Sequence, residues 1–312
     1  MSKSQITIII AIFLIAVIGI GYIIYTENKS PIVEEKVGAT IFPIYDIAQN
    51  IAGEKIEVVL ITPPGASPHT FEPTPVEIKD LQGSQLIFSI GQGLDEWTHE
   101  ITDAIPGSTV IAVSKNIELM PNEEESAKDE HEDEEGQEDE HHHGYINPHY
   151  WLSIPNAKII AQNITNKLVA LNPKNADYYE NNFQEYQKKL DKTDSTVRLM
   201  LRNTPNKNMI TMHNAWPYFA NEYGLEIVAT FEPSPGQEPT AKYLANLAET
   251  AEKNDIKTIF SEPQLANQTL FPFIRDYGLN LEILDPIGGI DNRASYIETM
   301  LYNAKKINES LQ

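Results

Sequence analysis

Residues 173–202 read PKNADYYENNFQEYQKKLDKTDSTVRLMLR, and largely apolar side chains recur there at every third or fourth position. The recurring residues are Tyr179, Phe183, Tyr186, Leu190, Thr193, Val197 and Leu201. This spacing predicts one long helix with a single buried face, roughly 45 Å in length. Asn172 and Pro173 are expected to supply its N-cap and first-turn proline. A helix of this length can join two lobes, whereas a coiled coil would need a longer and less aromatic stripe.

Short apolar runs alternate with helical stretches on both sides of this helix. Strands are predicted at 37–42, 56–60, 86–90, 109–113, 208–212, 227–230, 258–260 and 281–284. Helices are predicted at 45–52, 75–81, 94–104, 155–171, 215–223, 240–253, 265–277 and 292–307. Strands separated by helices indicate βαβ units and parallel sheets. We therefore expect an α/β fold with an N-terminal lobe at 37–172, a connecting helix at 173–205 and a C-terminal lobe at 206–312.

The chain begins with an apolar segment, residues 6–25, which carries no charged side chain. As a helix it would span roughly 30 Å, the thickness of a bilayer core. We expect residues 1–26 to anchor the protein in the cell membrane, with a polar linker at 27–36 and the lobes on the extracytoplasmic face. A cleaved secretion signal is the alternative. The chain has no cysteine, so a lipid-modified cysteine is excluded as the anchor.

The net charge of −22 excludes a nucleic-acid partner and suits a cation. Half of this charge lies in residues 122–143, which contain twelve acidic residues, one lysine and four histidines. The histidines are His131, His141, His142 and His143. Such a segment cannot bury enough apolar surface to order itself, so a disordered loop is expected. It is either a solvated insertion or a low-affinity collector of metal ions.

Three other histidines have a common structural setting. His69 lies in a loop after a predicted strand, His149 lies just before a predicted helix, and His213 follows the strand ending at residue 212. Asp285 likewise follows the strand at 281–284. Ligands of open α/β sheets bind beyond the carboxyl ends of the strands, so we expect these four side chains to converge.

The four converging side chains offer three imidazoles and one carboxylate. Zn²⁺ accepts such a set at about 2.0–2.2 Å, whereas Mn²⁺ prefers more oxygen ligands. Because imidazole must be neutral to bind a metal, we expect the affinity to fall as the pH drops through about 6.5.

Five segments together resemble the metal-specific solute-binding proteins of ABC transporters, in the zinc-uptake branch (cluster A-I, or cluster 9). The segments are 67–75, 147–152, 213–225, 259–264 and 284–288. The resemblance runs from Val37 to the end of the chain. It implies two Rossmann-like lobes, a rigid connecting helix, a metal in the cleft between the lobes, and a permease and a cytoplasmic ATPase as partners.

The same resemblance assigns the metal ligands. The residues that match the family's ligand positions are His69, His149, His213 and Asp285. Manganese members usually carry glutamate at the position of His213. Zinc members often carry an acidic, histidine-rich loop at the position of residues 122–143, although that loop is often richer in histidine than this one. Both features favour Zn²⁺ as the transported ligand.

Other residues near these motifs have less specific roles. Glu262 follows the strand at 258–260, and we expect it to hydrogen-bond a ligand imidazole from outside the metal shell. Its alternative role is a carboxylate at a helix start. Trp151, Trp216 and Tyr218 are expected to pack the cleft or the lobe cores, and His99 is expected to be an ordinary surface residue.

Three functions are compatible with these motifs. The leading one is an extracytoplasmic protein that captures Zn²⁺ and delivers it to an ABC importer, without enzymatic turnover. The second is a manganese or iron carrier of the same fold. The third is a membrane-anchored zinc hydrolase with Glu262 as its base, but the chain contains no HExxH motif, nucleophile elbow or P-loop. Nothing in the sequence requires a cell-adhesion role.

Overall fold

The computed structural model describes residues 35–122, 146–232, 237–265, 268–290 and 292–312. The stretch Glu35–Gln312 forms one compact unit. The predicted membrane segment, most of the linker after it and nearly all of the acidic loop lie outside the described residues. Within the described part of the chain, no helix is both long enough and apolar enough to cross a bilayer.

The N-terminal lobe is built on a four-stranded parallel sheet with the order β2-β1-β3-β4. Its strands are β1 (Lys36–Ala39), β2 (Glu57–Leu60), β3 (Ser84–Ser89) and β4 (Thr109–Ala112). The helices that follow the first three strands are α1 (Phe42–Ala52), α2 (Pro75–Asp80) and α3 (Thr98–Ala104). The carboxyl ends of parallel strands share one edge, so the loops after them lie side by side.

The C-terminal lobe repeats this architecture with the strand order β6-β5-β7-β8, again all parallel. Its strands are β5 (Asn208–Thr211), β6 (Glu226–Thr230), β7 (Thr258–Ser261) and β8 (Asn280–Ile283). Its helices are α6 (Pro217–Tyr223), α7 (Ala241–Lys253), α8 (Leu270–Tyr277) and α9 (Tyr296–Ser310). The predicted α/β fold with two parallel-sheet lobes is therefore confirmed.

Helices α4 (Ile154–Leu171) and α5 (Ala176–Arg202) connect the two lobes. With 27 residues, α5 is about 40 Å long. All of the residues in its predicted stripe are buried except Phe183, which is half-buried against the core. The periodic pattern in the sequence therefore identified both the long helix and its buried face.

Several predicted element ends are wrong. Asn172 does not cap α5, because the residues after it form the 3-10 turn Pro173–Asn175 and α5 begins only at Ala176. The Asn172 side chain instead donates from Nδ2 to Glu35 Oε2 at 2.7 Å. Helix α9 begins later than predicted because Ser295 caps it, accepting a hydrogen bond from the Glu298 amide at 3.1 Å. Helices α3 and α8 also begin later than predicted, and α1 begins earlier.

The two lobes share one apolar core, which passes through α1, α4, α5, α6 and α9. Hydrogen bonds, most of them buried, join the lobes next to this core. Trp151 Nε1 donates to the Pro286 carbonyl at 2.7 Å, and Tyr296 Oη donates to the Trp151 carbonyl at 2.7 Å. The Tyr296 amide donates to Asp46 Oδ2 at 3.0 Å. The loops of the two lobes are thus held in a fixed relation.

Candidate metal centre

His69 lies in the loop between β2 and α2, and it is partly exposed. The Trp97 indole holds this loop on the N-terminal lobe, since its Nε1 donates to the Pro68 carbonyl at 3.4 Å. The rings of Trp97 and Phe71 also pack edge to face, with 4.9 Å between centroids. Anchors on both sides of His69 limit the freedom of its imidazole.

His149 precedes the 3-10 turn Tyr150–Leu152, and only 4% of the residue is exposed. Asn147 Oδ1 lies 3.0 Å from His149 Nδ1 and also accepts a hydrogen bond from the His149 amide. Asn147 Nδ2 donates to the Asn214 carbonyl at 2.7 Å, which fixes the orientation of the Asn147 amide group. The proton of His149 therefore sits on Nδ1, and the lone pair of Nε2 is available to a metal.

His213 follows β5 and is buried. Glu262 Oε1 lies 2.9 Å from His213 Nδ1 and also accepts a hydrogen bond from Trp216 Nε1 at 3.2 Å. Glu262 itself is buried, directly after β7. A carboxylate against the far nitrogen of an imidazole fixes the ring and makes it a stronger metal ligand.

The three imidazoles converge on one point. His149 Nε2 lies 3.2 Å from His69 Nε2 and 3.3 Å from His213 Nε2. Two nitrogens bound to one tetrahedral Zn²⁺ at about 2.0–2.1 Å would be roughly 3.3–3.4 Å apart. The spacing in the structure therefore matches the ligand spacing of a zinc ion.

A cavity of about 20 Å³ lies beside these nitrogens. Ser67, Pro68, Gln264, Leu265, Pro286 and Ile287 line it together with Glu262 and the three histidines. This volume admits one small ion or water molecule and excludes a larger ligand. A size limit of this kind suits a bare metal ion as the ligand.

Burial makes two of the imidazoles difficult to protonate. Burial, together with the neighbouring His213, lowers the pKa of His69 from 6.5 to about 3. Burial also lowers the pKa of His149 well below 6.5, with smaller contributions from His213 and His69. Both rings are therefore neutral at physiological pH, which is the form that binds metal.

Asp285 lies outside this group of ligand atoms. The three imidazole nitrogens are within 4.8 Å of one another, and no carboxylate of the described residues joins them at that distance. Asp285 is fully buried, and its Oδ1 accepts hydrogen bonds from Gln264 Nε2 at 2.9 Å, the Ile287 amide at 3.0 Å and the Gly288 amide at 2.9 Å. Its Oδ2 lies 2.7 Å from Arg293 Nε. Asp285 as a fourth ligand stays a prediction.

Of the remaining candidates, those among the described residues do not join the cluster. His131, His141, His142 and His143 lie outside the described residues. His99 is exposed on α3, as expected of a surface residue. Trp151 and Trp216 are buried in the shared core.

The sequence assigned no individual role to Asn147, Gln264 or Arg293. Asn147 and Gln264 do lie inside the segments 147–152 and 259–264 that carry the family resemblance, and this position was the signal available for them.

Known proteins are similar to this chain over most of its length. A family model described as "Zinc-uptake complex component A periplasmic" matches residues 37–310. The high-affinity zinc uptake system protein ZnuA of Bacillus subtilis (strain 168) is 34% identical over 282 residues, which cover 88% of this chain and 87% of that protein. The manganese ABC transporter substrate-binding lipoprotein PsaA of Streptococcus anginosus is 29% identical over 289 residues, which cover 88% and 89%.

Solved structures match over most of the chain as well. A crystal structure of ZnuA superposes with a TM-score of 0.77 at 25% identity, covering 89% of this chain and 99% of that one. The solute-binding protein FpvC of Pseudomonas aeruginosa, solved with Mn²⁺, superposes with a TM-score of 0.76 at 28% identity and covers 89% and 99%.

Proposed function

Since this chain belongs to the family of periplasmic zinc-uptake component A proteins, we propose that His69, His149 and His213 hold its Zn²⁺ ion, with Asp285 as the fourth ligand. The protein is an extracytoplasmic zinc-binding component of an ABC importer and is not an enzyme. Zn²⁺ is its cargo. Membership of the family implies a permease and an ATPase as partners, to which the ion is delivered.

The spacing of the three Nε2 atoms around a cavity of ion size carries the ligand assignment. Asn147 Oδ1 and Glu262 Oε1 contact the Nδ1 atoms of His149 and His213 and fix the orientation of these two rings. The site is thus preorganised, and little ordering of side chains opposes binding.

The donor set favours zinc over the two alternatives. Three imidazoles suit Zn²⁺ better than Mn²⁺, which prefers carboxylate and water oxygens. Relatives named for manganese transport belong to the same group of proteins, so the fold alone does not select the metal. A hydrolase is not favoured, because Glu262 Oε1 already contacts His213 Nδ1 and Trp216 Nε1, and the family consists of transport proteins.

We also propose that the apolar segment 6–25 anchors the protein in the membrane. The absence of charge over 20 residues supports this role. N-terminal analysis of the membrane-bound protein should then find a chain that begins before residue 6. A mature chain that begins after about residue 26 and is released in soluble form would contradict the anchor and support a cleaved signal.

We propose that the acidic loop collects metal ions for the site. Its four histidines and its charge of about −11 support a weak local enrichment of Zn²⁺. Deleting residues 122–143 should leave the affinity of the three-histidine site unchanged and lower uptake under zinc scarcity. Unchanged growth of the deletion strain in a chelator would contradict this role.

Metal titration of the full chain in detergent micelles tests the three-histidine site. The wild-type protein should bind a single Zn²⁺ ion with high affinity, and Mn²⁺ should compete poorly. His213→Ala should weaken binding by more than about 100-fold, because the loss of an outer partner alone costs about 10–100-fold. His99→Ala, which removes an exposed histidine, is the matched control and should bind as the wild type does. Equal affinities for His213→Ala and the wild type would refute the assignment.

A further inference from the structure

The two oxygens of the Asp285 carboxylate have unequal surroundings. Oδ1 accepts three hydrogen bonds, one from the Gln264 side chain and two from backbone amides in the loop after β8. Oδ2 is buried and accepts no hydrogen bond from the described residues. Its neighbour is Arg293 Nε at 2.7 Å, whose N–H is not aligned on it. The hydrogen bonds to Oδ1 therefore fix the Asp285 carboxylate, whereas among the described residues Oδ2 interacts only with the charge of Arg293.

Arg293 is fixed from its other side by an aromatic ring. Its guanidinium carbon lies 4.4 Å from the centroid of the Tyr302 ring, a cation–π contact. Tyr302 Oη donates to the Ile283 carbonyl at 3.2 Å, at the end of the strand that leads to Asp285. The Arg293 side chain is only 12% exposed, so its charge needs a partner. Arg293 and Asp285 thus neutralise each other beside the metal site.

Gln264 connects this ion pair to the metal cavity. Its side chain lines the cavity with the three histidines, and its Nε2 donates to Asp285 Oδ1. Its Oε1 is buried and has no hydrogen-bond partner among the described residues. The Asp285 carboxylate is therefore one side chain away from the ion, and the Gln264 amide is held by a single hydrogen-bonded atom.

We infer that Arg293 competes with the metal ion for Oδ2 of Asp285, and so sets how tightly the three-histidine site holds Zn²⁺. This inference rests on the proposed function. Without metal, the guanidinium neutralises the carboxylate. With metal, Zn²⁺ and Arg293 attract the same oxygen, to which no other group of the described residues donates. When the ion leaves, Arg293 takes the carboxylate back, and a buried carboxylate is never left without a cation.

Zn²⁺ titration of the full chain carrying Arg293→Met tests this competition. The variant should bind Zn²⁺ tighter than the wild type by about tenfold or more, because the metal no longer displaces a guanidinium. Its metal-free form should melt at a lower temperature, since Asp285 has lost its partner, and Zn²⁺ should restore more of the stability. Arg275→Met removes an exposed arginine and is the matched control, with wild-type affinity expected.

A double-mutant cycle separates competition from a structural role. Asp285→Asn should weaken binding, and adding Arg293→Met to it should change the affinity no further. Arg293→Met alone giving unchanged or weaker binding, or the same tightening in the Asp285→Asn background, would overturn the inference. A purely structural role of Arg293 would destabilise the metal-free and zinc-bound forms equally.

If Arg293→Met does not fold, a milder pair of variants at Tyr302 tests the same inference. Tyr302→Leu removes the ring that holds the guanidinium but keeps both charges, and should tighten Zn²⁺ binding relative to Tyr302→Phe, which keeps the ring. Equal affinities for these two variants would overturn the inference. Failure of the proposed function has a different signature, namely an affinity that does not depend on His213.

Discussion

The histidine side chains owe their metal-binding form to burial. His69 has a pKa of about 3 in the folded protein against 6.5 for a free side chain, and His149 is shifted in the same direction. Between about pH 3 and 6.5, His69 is therefore protonated in the unfolded chain and neutral in the folded chain. The free energy of unfolding of the metal-free protein should therefore fall as the pH drops below about 6.5.

The same shift predicts how Zn²⁺ affinity depends on pH. Because folded His69 and His149 are already neutral, protons compete little with the ion at these two ligands above about pH 5, and among the imidazoles only competition at His213 is left. The dissociation constant, measured with a chelator whose protonation is corrected for, should therefore rise by no more than about tenfold for each pH unit between pH 7.5 and 5.5, the limit for one competing proton. The sequence alone suggested a loss of affinity through about pH 6.5, and a loss steeper than about tenfold per pH unit would contradict the burial of His69 and His149.

Helix α5 connects the two lobes, and its buried face packs into the core that they share. Leu190 lies on its buried face with 0% exposure, and Leu199 lies on the same helix with 65% exposure. Leu190→Ala should lower the free energy of unfolding by about 2–5 kcal/mol through a cavity in the shared core. Leu199→Ala should change it by less than about 0.5 kcal/mol. Chemical denaturation measures both, and equal losses would refute the assigned helix face.

Secondary structure was predictable where a side-chain pattern repeats over several turns. The exact residue at which an element starts was not predictable. The stripe from Tyr179 to Leu201 spans many turns, so its period identified α5. The start of that helix is displaced to Ala176, because the 3-10 turn Pro173–Asn175 comes first. The asparagine–proline pair at 172–173 signals that a helical turn begins, but it does not distinguish a 3-10 turn from the first turn of an α-helix.

At the scale of the whole molecule, the lobes meet through buried contacts next to the metal ligands. Trp151 stands two residues after His149 and donates to Pro286, which directly follows Asp285. Trp151→Phe keeps a ring but leaves the Pro286 carbonyl without its donor, at a cost of about 1–3 kcal/mol. Amide hydrogen exchange of Ile287 and Gly288 should then quicken, while exchange in β7 stays unchanged. Unaltered exchange at both amides would show that this contact does not hold the loop.

The convergence of the site was predictable because it follows from topology. His213 and Glu262 each follow a strand of one parallel sheet, so their meeting at its edge was expected. The partners of Asp285 could not be foreseen. Arg293 lies in a turn without a repeating pattern, and only the tertiary structure brings it to Oδ2.

X-ray absorption on the zinc-loaded full chain tests the central claim most directly, because it counts the atoms bound to the ion. Three imidazole nitrogens at about 2.0–2.1 Å and a single oxygen are predicted, with a nitrogen lost in His213→Ala and the carboxylate oxygen lost in Asp285→Asn. A first shell with fewer than three imidazoles, or one unchanged by His213→Ala, would contradict a zinc site built from His69, His149 and His213.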